Sequence, residues 1–248
     1  MSPRITGVVK HLLIINVLMF IVSNVFTANG VFDANTMLAL HYPSSEFFKP
    51  YQLVTHFFMH GDFMHILFNM FALVMFGGAL EAIWGEKKFL FFYFFCAIGA
   101  VGLTFTINHF EFAHAMSMYS PEQIELVVRE GQDAIAKNRN FTDPDLAALN
   151  IKYYMQQHGR MVGASGAIFG LLLAFAMKFP NTELMLLFFP VPIKAKYFVP
   201  VLMFFELQMG MADMAGDNVA HFAHLGGALF GFLLLLYWRK YDTGFRKN

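Results

Sequence analysis

Long apolar runs recur along this chain, and no soluble core could hide so many of them. The first, HLLIINVLMFIVSNVF at residues 11–26, has no acidic or basic residue after its opening histidine. A helix needs about 20 mostly apolar residues to cross a hydrocarbon layer about 30 Å thick. Six segments read as such spans: residues 11–26, 62–83, 88–107, 162–179, 197–209 and 219–237. Charged residues make up 14% of the chain, against about 25% in an ordinary soluble domain. The fold class is therefore an all-α polytopic membrane protein. The first run reads as a span rather than a removed signal peptide, because no small-residue cleavage site follows it and further spans do. Pro190, Pro192, Lys194, Lys196 and Pro200 interrupt the apolar stretch at 184–210, which predicts a short hairpin before the fifth span.

Lys and Arg in short loops set orientation. They occur in the N-terminal tail (Arg4, Lys10), between spans two and three (Lys87, Lys88), between spans four and five (Lys178, Lys194, Lys196) and at the C-terminus (Arg239, Lys240, Arg246, Lys247). The other side has Lys49 in the first loop and no basic residue at 211–218. Both termini are expected in the cytoplasm, and the long connection 109–161 outside. That connection has helix signals of its own. Ser120-Pro121-Glu122-Gln123 reads as a capping box with Pro at the first helical position, followed by Ile124, Val127, Val128 and Ile135. Asp143-Pro144 starts a second helix with Leu146, Leu149 and Tyr153 on one face. The chain, 1–248, thus reads as a single membrane domain of six spans, with 109–161 a helical insertion between helices three and four. Zero net charge argues against nucleic acid, and one cysteine, Cys96, excludes an internal disulfide.

Ionisable groups inside spans are costly and are functional candidates by default. Three clusters lie near the external ends of spans. The first is His56, His60, His65 and Asn69, with His65 and Asn69 on one helix face. The second is Gly163-Ala164-Ser165-Gly166, followed by Gly170. The third is His221 and His224. Each has a plainer reading. Gly166 and Gly170 form a GxxxG spacing that only needs to pack helices. His56 with His60, or His221 with His224, could hold a metal or haem, and His60 could simply stabilise the first loop. Depth joins the clusters. Ser165 lies about 5 Å into its span and His224 about 8 Å, at about 1.5 Å per residue, with His65 at a similar level and Asn69 a turn deeper. A serine needs an adjacent base to act as nucleophile, and His224 can supply it. His65, Asn69 and the Ser165 N–H can donate to a developing oxyanion. No acidic residue is seen near His224 at its depth, since Asp213 and Asp217 lie in the preceding loop, so the expectation is a Ser–His dyad. Gly227 and Gly231 on the His224 face would let the sixth span approach the Gly166–Gly170 face closely.

At these residues the sequence resembles the rhomboid family of intramembrane serine proteases. HGDFMHILFN carries a His-x4-His-x3-Asn pattern as His60, His65 and Asn69. GGALE ends in Glu81, GASGAIFG carries a GxSG nucleophile, and AHLGGALFG carries His-x-x-Gly-x3-Gly at His224. The resemblance implies a water-filled cavity within a bundle of spans and cleavage of transmembrane protein substrates near their external ends, with no cofactor and no metal. It assigns Ser165 as nucleophile, His224 as base, and His65 and Asn69 as oxyanion donors. Gly163, Phe169, Gly227, His60, His221 and Glu81 are supporting residues, Phe169 packing under the base where the family often has Tyr. Tyr51-Gln52 replaces a Trp-Arg pair common in the family, so the first loop is expected to be anchored differently. The bilayer expected is a bacterial inner membrane. Substrate entry is expected past span five, with Phe204 and Phe205 as gate side chains. The alternative is a catalytically inactive relative that binds membrane helices in quality control.

Overall fold

The computed structural model describes residues 7–30, 32–186, 189–212 and 220–241. Arg4, Arg246 and Lys247, used for orientation, and Asp213 and Asp217 lie outside the described residues. Eight principal helices follow one another: α1 Gly7–Ala28, α2 Phe63–Trp84, α3 Glu86–Ser117, α4 Pro121–Ala136, α5 Pro144–His158, α6 Ser165–Lys178, α7 Ala195–Ala212 and α8 His221–Tyr241. Among the described residues, α1, α2, α3 and α8 are long and apolar enough to cross a membrane. α6 is apolar but has 14 residues, and α7 has 18, with Pro200 inside it.

Local sequence explains most of these limits. Asp62 caps α2 by accepting the His65 N–H at 2.8 Å. A π turn at Leu73–Gly77 offsets the two halves of α2. Gly85, at φ +76°, allows the chain to enter α3 two residues after α2 ends. α3 has 32 residues, or about 48 Å, well beyond a layer about 30 Å thick. The helix continues ten residues past the span expected to end at 107, because nothing in the sequence there breaks it. Ser120 and Gln123 form the capping box of α4, and Asp143 caps α5. α4 and α5 pack together as a helical hairpin, where Asn150 Nδ2 donates to the Gly131 carbonyl at 3.2 Å. The proline-broken stretch forms a strand at Glu183–Leu186 paired antiparallel with one at Phe189–Lys194.

α3, α6 and α8 form the centre of the bundle. Phe89, Phe92, Tyr93 and Cys96 of α3 pack with Leu171 and Phe175 of α6 and with Leu235 and Trp238 of α8. Small residues set the spacing. A Cβ on Gly227 would strike the Gly166 carbonyl, and one on Gly231 would lie 3.0–3.3 Å from Phe92, Cys96 and Gly170. The outward faces are apolar, as in Leu18, Ile21 and Val25 of α1 and Phe204 and Phe205 of α7, all more than half exposed. A lipid-facing surface has this character, since bilayer chains are as apolar as the side chains that meet them.

Candidate active site

α6 spans about 21 Å at 1.5 Å per residue. It starts at Ser165 rather than near residue 162, because Gly163 takes φ +112° and breaks the helix there. The preceding chain is held by other means. Strand β2, Arg160–Met161, pairs with β1, Leu40–His41, in the first loop. The Gly163 N–H donates to the His56 carbonyl at 2.9 Å. Ser165 thus sits at the junction of an irregular segment and a helix, its backbone anchored to the first loop.

α8 brings His224 to it. Ser165 Oγ and His224 Nε2 are 3.0 Å apart. Phe169, one turn along α6, stacks on the imidazole with ring centroids 4.0 Å apart and planes at 5°. The Gly227–Gly166 contact lies one turn beyond His224 and one residue beyond Ser165, so backbone approach at that point sets the Ser–His distance.

The expectation that no carboxylate reaches His224 is overturned. Glu206 of α7 holds Oε2 at 2.9 Å from His224 Nδ1 and at 2.7 Å from His221 Nδ1. The three side chains are only 11–12% exposed. An ionised carboxylate only accepts, so each imidazole presents Nδ1–H to it. In neutral His224 that leaves Nε2 with a lone pair facing the serine hydroxyl. The arrangement has the connectivity of a Ser–His–carboxylate triad. The sequence carried a signal for it: Glu206 is the one acidic residue in the fifth span, VPVLMFFELQM, and an intramembrane carboxylate calls for a partner.

His65 and Asn69 face the same backbone from α2. A Cβ on Gly163 would lie 2.8 Å from His65 Nε2 and 3.8 Å from Asn69 Nδ2. His65 Nδ1 accepts a long bond, 3.5 Å, from the Gly61 N–H, which puts the ring proton on Nε2, toward Gly163. Asn69 Nδ2 is buried with no hydrogen-bond partner among the described residues. Such a donor costs about 1–3 kcal/mol and calls for an explanation. His60 is buried behind this pair, its ring against His65 at 5.0 Å. Burial, then the neighbouring His65, pushes its pKa down to about 4.

The other singled-out residues lie apart from this cluster. His56, pushed down to about 4 by burial, bonds the Gln52 carbonyl through Nδ1. His56 and His60 do not converge with a third ligand; among the described residues the one metal-compatible group is Glu206, His221 and His224. Gln52 is fully buried. Its amide accepts from Lys49 N and donates to the Met37 and Phe47 carbonyls at 3.0–3.2 Å, so a neutral amide ties the first loop together. Glu81 is at the far end of α2, about 18 Å along the helix from Asn69 at 1.5 Å per residue. Its two oxygens accept the Val8 and Val9 N–H groups at 2.8 and 3.0 Å. It caps α1, at the end of α2 away from Asn69.

Comparison with known proteins agrees with this architecture. Residues 48–117 and 145–241, about two thirds of the chain, match the Rhomboid domain. The gap between them contains α4. Over 183 residues, 74% of this chain and 40% of the relative, it is 28% identical to mitochondrial Rhomboid protein 1 of Saccharomyces cerevisiae. Over 86 residues, 32% of this chain and 22% of the relative, it is 36% identical to an uncharacterized mitochondrial rhomboid protein of Schizosaccharomyces pombe. The chain spans less than half the length of the curated relatives it matches. Its helices, its apolar outer faces and this match make the chain an integral multi-pass membrane protein that belongs to the rhomboid family.

Proposed function

We propose that the chain is an intramembrane serine endopeptidase that cuts transmembrane segments of membrane proteins near their external ends. The observation that carries this reading is the 3.0 Å Ser165 Oγ–His224 Nε2 contact, with His224 Nδ1 held 2.9 Å from Glu206. His224 takes the Ser165 proton as Oγ attacks the scissile carbonyl, and returns it to the leaving amine. Glu206 fixes the imidazole tautomer and stabilises the imidazolium that forms, and the Phe169 ring face adds attraction for that cation. The oxyanion is met by His65 Nε2–H, Asn69 Nδ2–H and the Ser165 N–H. Each such donor is worth about 3–4 kcal/mol in known oxyanion holes. The Asn69 Nδ2 donor, without a partner among the described residues, supports this role, because its hydrogen bond is available for an arriving substrate oxygen.

A helix exposes no carbonyl to attack while its own hydrogen bonds hold. The substrates are therefore segments that unwind readily, with Gly or Pro near the cut. We assign entry to the α7 side, where Phe204 and Phe205 are exposed and Pro200 lacks the N–H that would tie the helix internally. By the positive-inside rule both termini lie in the cytoplasm, the site opens to the other face, and the α4–α5 hairpin is an external insertion within a single membrane domain. The host bilayer in this reading is a bacterial inner membrane, and the chemistry needs no cofactor. The test is labelling by a fluorophosphonate serine probe in liposomes. Wild type should label, and Ser165→Ala and His224→Ala should not, at unchanged folding. Labelling retained by Ser165→Ala overturns the reading. A folded wild-type protein that never labels would favour an inactive helix-binding relative.

A further inference from the structure

Glu206, His221 and His224 each offer a donor atom, and the three atoms lie within 4.8 Å of one another. Two imidazoles and a carboxylate form the donor set of three-ligand zinc sites, which leave one coordination position open. Here the Nδ1 atoms of both histidines already converge on one carboxylate oxygen, at 2.7 and 2.9 Å. A cation could replace the two Nδ1 protons at the centre of that cluster with small side-chain movements. A cavity of about 630 Å³ gives it access: Met209 and Gly210 of α7, His221 and Phe222 of α8, Phe105 of α3 and Met155 of α5 line it. One ligand of the cluster therefore borders an open route.

We propose that this cluster is an inhibitory site for a divalent transition metal of the zinc class. The proposal rests on the Ser165–His224 reading for its consequence, though not for the binding itself. Coordination needs the Nδ1 lone pair of each histidine. Each imidazole then carries its proton on Nε2 instead of Nδ1, so no net proton is released from the neutral pair. For His224 that shift is decisive. Nε2 becomes a donor toward Ser165 and can no longer take the hydroxyl proton. The metal thus stops the reaction by enforcing the wrong tautomer, and it removes Glu206 from orienting the base. Zinc binds such N,O sites more tightly than manganese or iron in the same oxidation state, and it is redox-inert, so inhibition should be reversible.

Two experiments separate the site from its consequence. First, Zn²⁺ and Co²⁺ are titrated into full-length Ser165→Ala protein in detergent, a variant in which binding is measured without turnover. The expected result is about one equivalent bound with a visible tetrahedral Co²⁺ spectrum, weakened about tenfold or more when His221→Ala is added. No binding, or binding that His221→Ala leaves unchanged, overturns the proposal. Second, fluorophosphonate labelling of wild type is followed with Zn²⁺ and then with a chelator. Labelling should slow and then recover, and His221→Ala, compared with its own metal-free rate, should need about tenfold more Zn²⁺ or higher. Metal that binds without slowing labelling also overturns the inhibitory role. If metal-free wild type fails to label, the protease reading falls, while the first titration still decides whether the site exists.

Discussion

Among the described residues, Glu81 is buried and Glu206 nearly so, and their partners give the two carboxylates opposite roles. Glu81 receives two backbone N–H groups from the start of α1, at 2.8 and 3.0 Å. Those donors belong to the helix backbone, and a peptide N–H is neither acid nor base in the neutral pH range. Glu206 receives two imidazole Nδ1–H groups, at 2.7 and 2.9 Å. Those donors are imidazoles, side chains able to give up or take a proton, and one of them faces a serine. Both carboxylates satisfy the requirement that a buried charge be hydrogen-bonded. One thereby fastens two helices, and the other, in the proposed reaction, sets the protonation pattern of the Ser165–His224 pair. Residue type and burial do not separate the two cases. The chemistry of the partner does.

The sharpest break of this comparison is Glu206→Gln. The amide keeps the volume and loses the charge, and its NH₂ group can turn toward His224 Nδ1 and stabilise the wrong tautomer. In a serine protease triad the equivalent change costs about 10⁴ in kcat. We expect a loss of about 10²–10⁴ in peptide hydrolysis with thermal stability nearly retained, measured as kcat beside a melting curve. Loss below tenfold would mean that Ser165 and His224 work as a dyad and that Glu206 is structural, like Glu81.

How much of this was visible in the sequence depends on how local each feature is. Four of the six expected spans follow from hydropathy as long apolar helices, and the α4 start from four consecutive residues, Ser120 to Gln123, so both were legible. The His65–Asn69 and Ser165 motifs are local too. What failed was pairing across distant segments. Glu206 stands 18 residues before His224 in a different helix, and depth counted along one span does not say which face a neighbouring helix presents. The acids nearest His224 in the chain are Asp213 and Asp217, whereas Glu206 arrives laterally from α7. Glu81 was grouped with the site because it belongs to a motif, although it lies at the other end of α2. The length of α3 was missed because hydropathy marks where a bilayer ends, not where a helix does.

A buried imidazole that no carboxylate bonds has a third outcome, which is to stay neutral. His56 and His60 lie in the first loop region, and burial pushes both down to about 4. The unfolded value is about 6.5. Above 6.5 both states are neutral and the two residues add nothing to the pH dependence. As pH falls from 6.5 toward 4 the unfolded chain takes up protons that the fold refuses, and stability is lost by up to roughly 3 kcal/mol per residue. Melting temperature in detergent should therefore drop through this window. His60→Phe should flatten its own share of the decline. An unchanged slope would place the titration elsewhere.

Glu81→Ala tests the structural member of the pair. Two charge-assisted bonds are lost and two N–H groups of α1 are left without acceptors, at roughly 1.5–3 kcal/mol for each bond to a charged group. We expect a loss of about 3 kcal/mol in stability. Activity per folded molecule should stay within about threefold, because the cap is about 18 Å along α2 from Asn69. Equal loss of rate and stability would show that α1 docking is coupled to the Ser165 end and that the separation drawn between the two carboxylates is too clean.

The smallest expected effect isolates what holds the imidazole from below rather than from the side. Glu206 fixes His224 through a hydrogen bond in the ring plane, and Phe169 fixes it through the ring face, at 4.0 Å and 5°. A stacked aromatic pair adds about 0.5–1.5 kcal/mol beyond its burial. Phe169→Leu keeps an apolar floor and removes the stacking, so hydrolysis should fall by about two- to tenfold. Combined with Glu206→Gln the loss should be less than the product of the two, because an imidazole already in the wrong tautomer gains little from correct orientation. A fully multiplicative double mutant would mean that the two contacts act on different steps. The carboxylate would then govern proton transfer, while the aromatic ring governed only how the substrate reaches the serine.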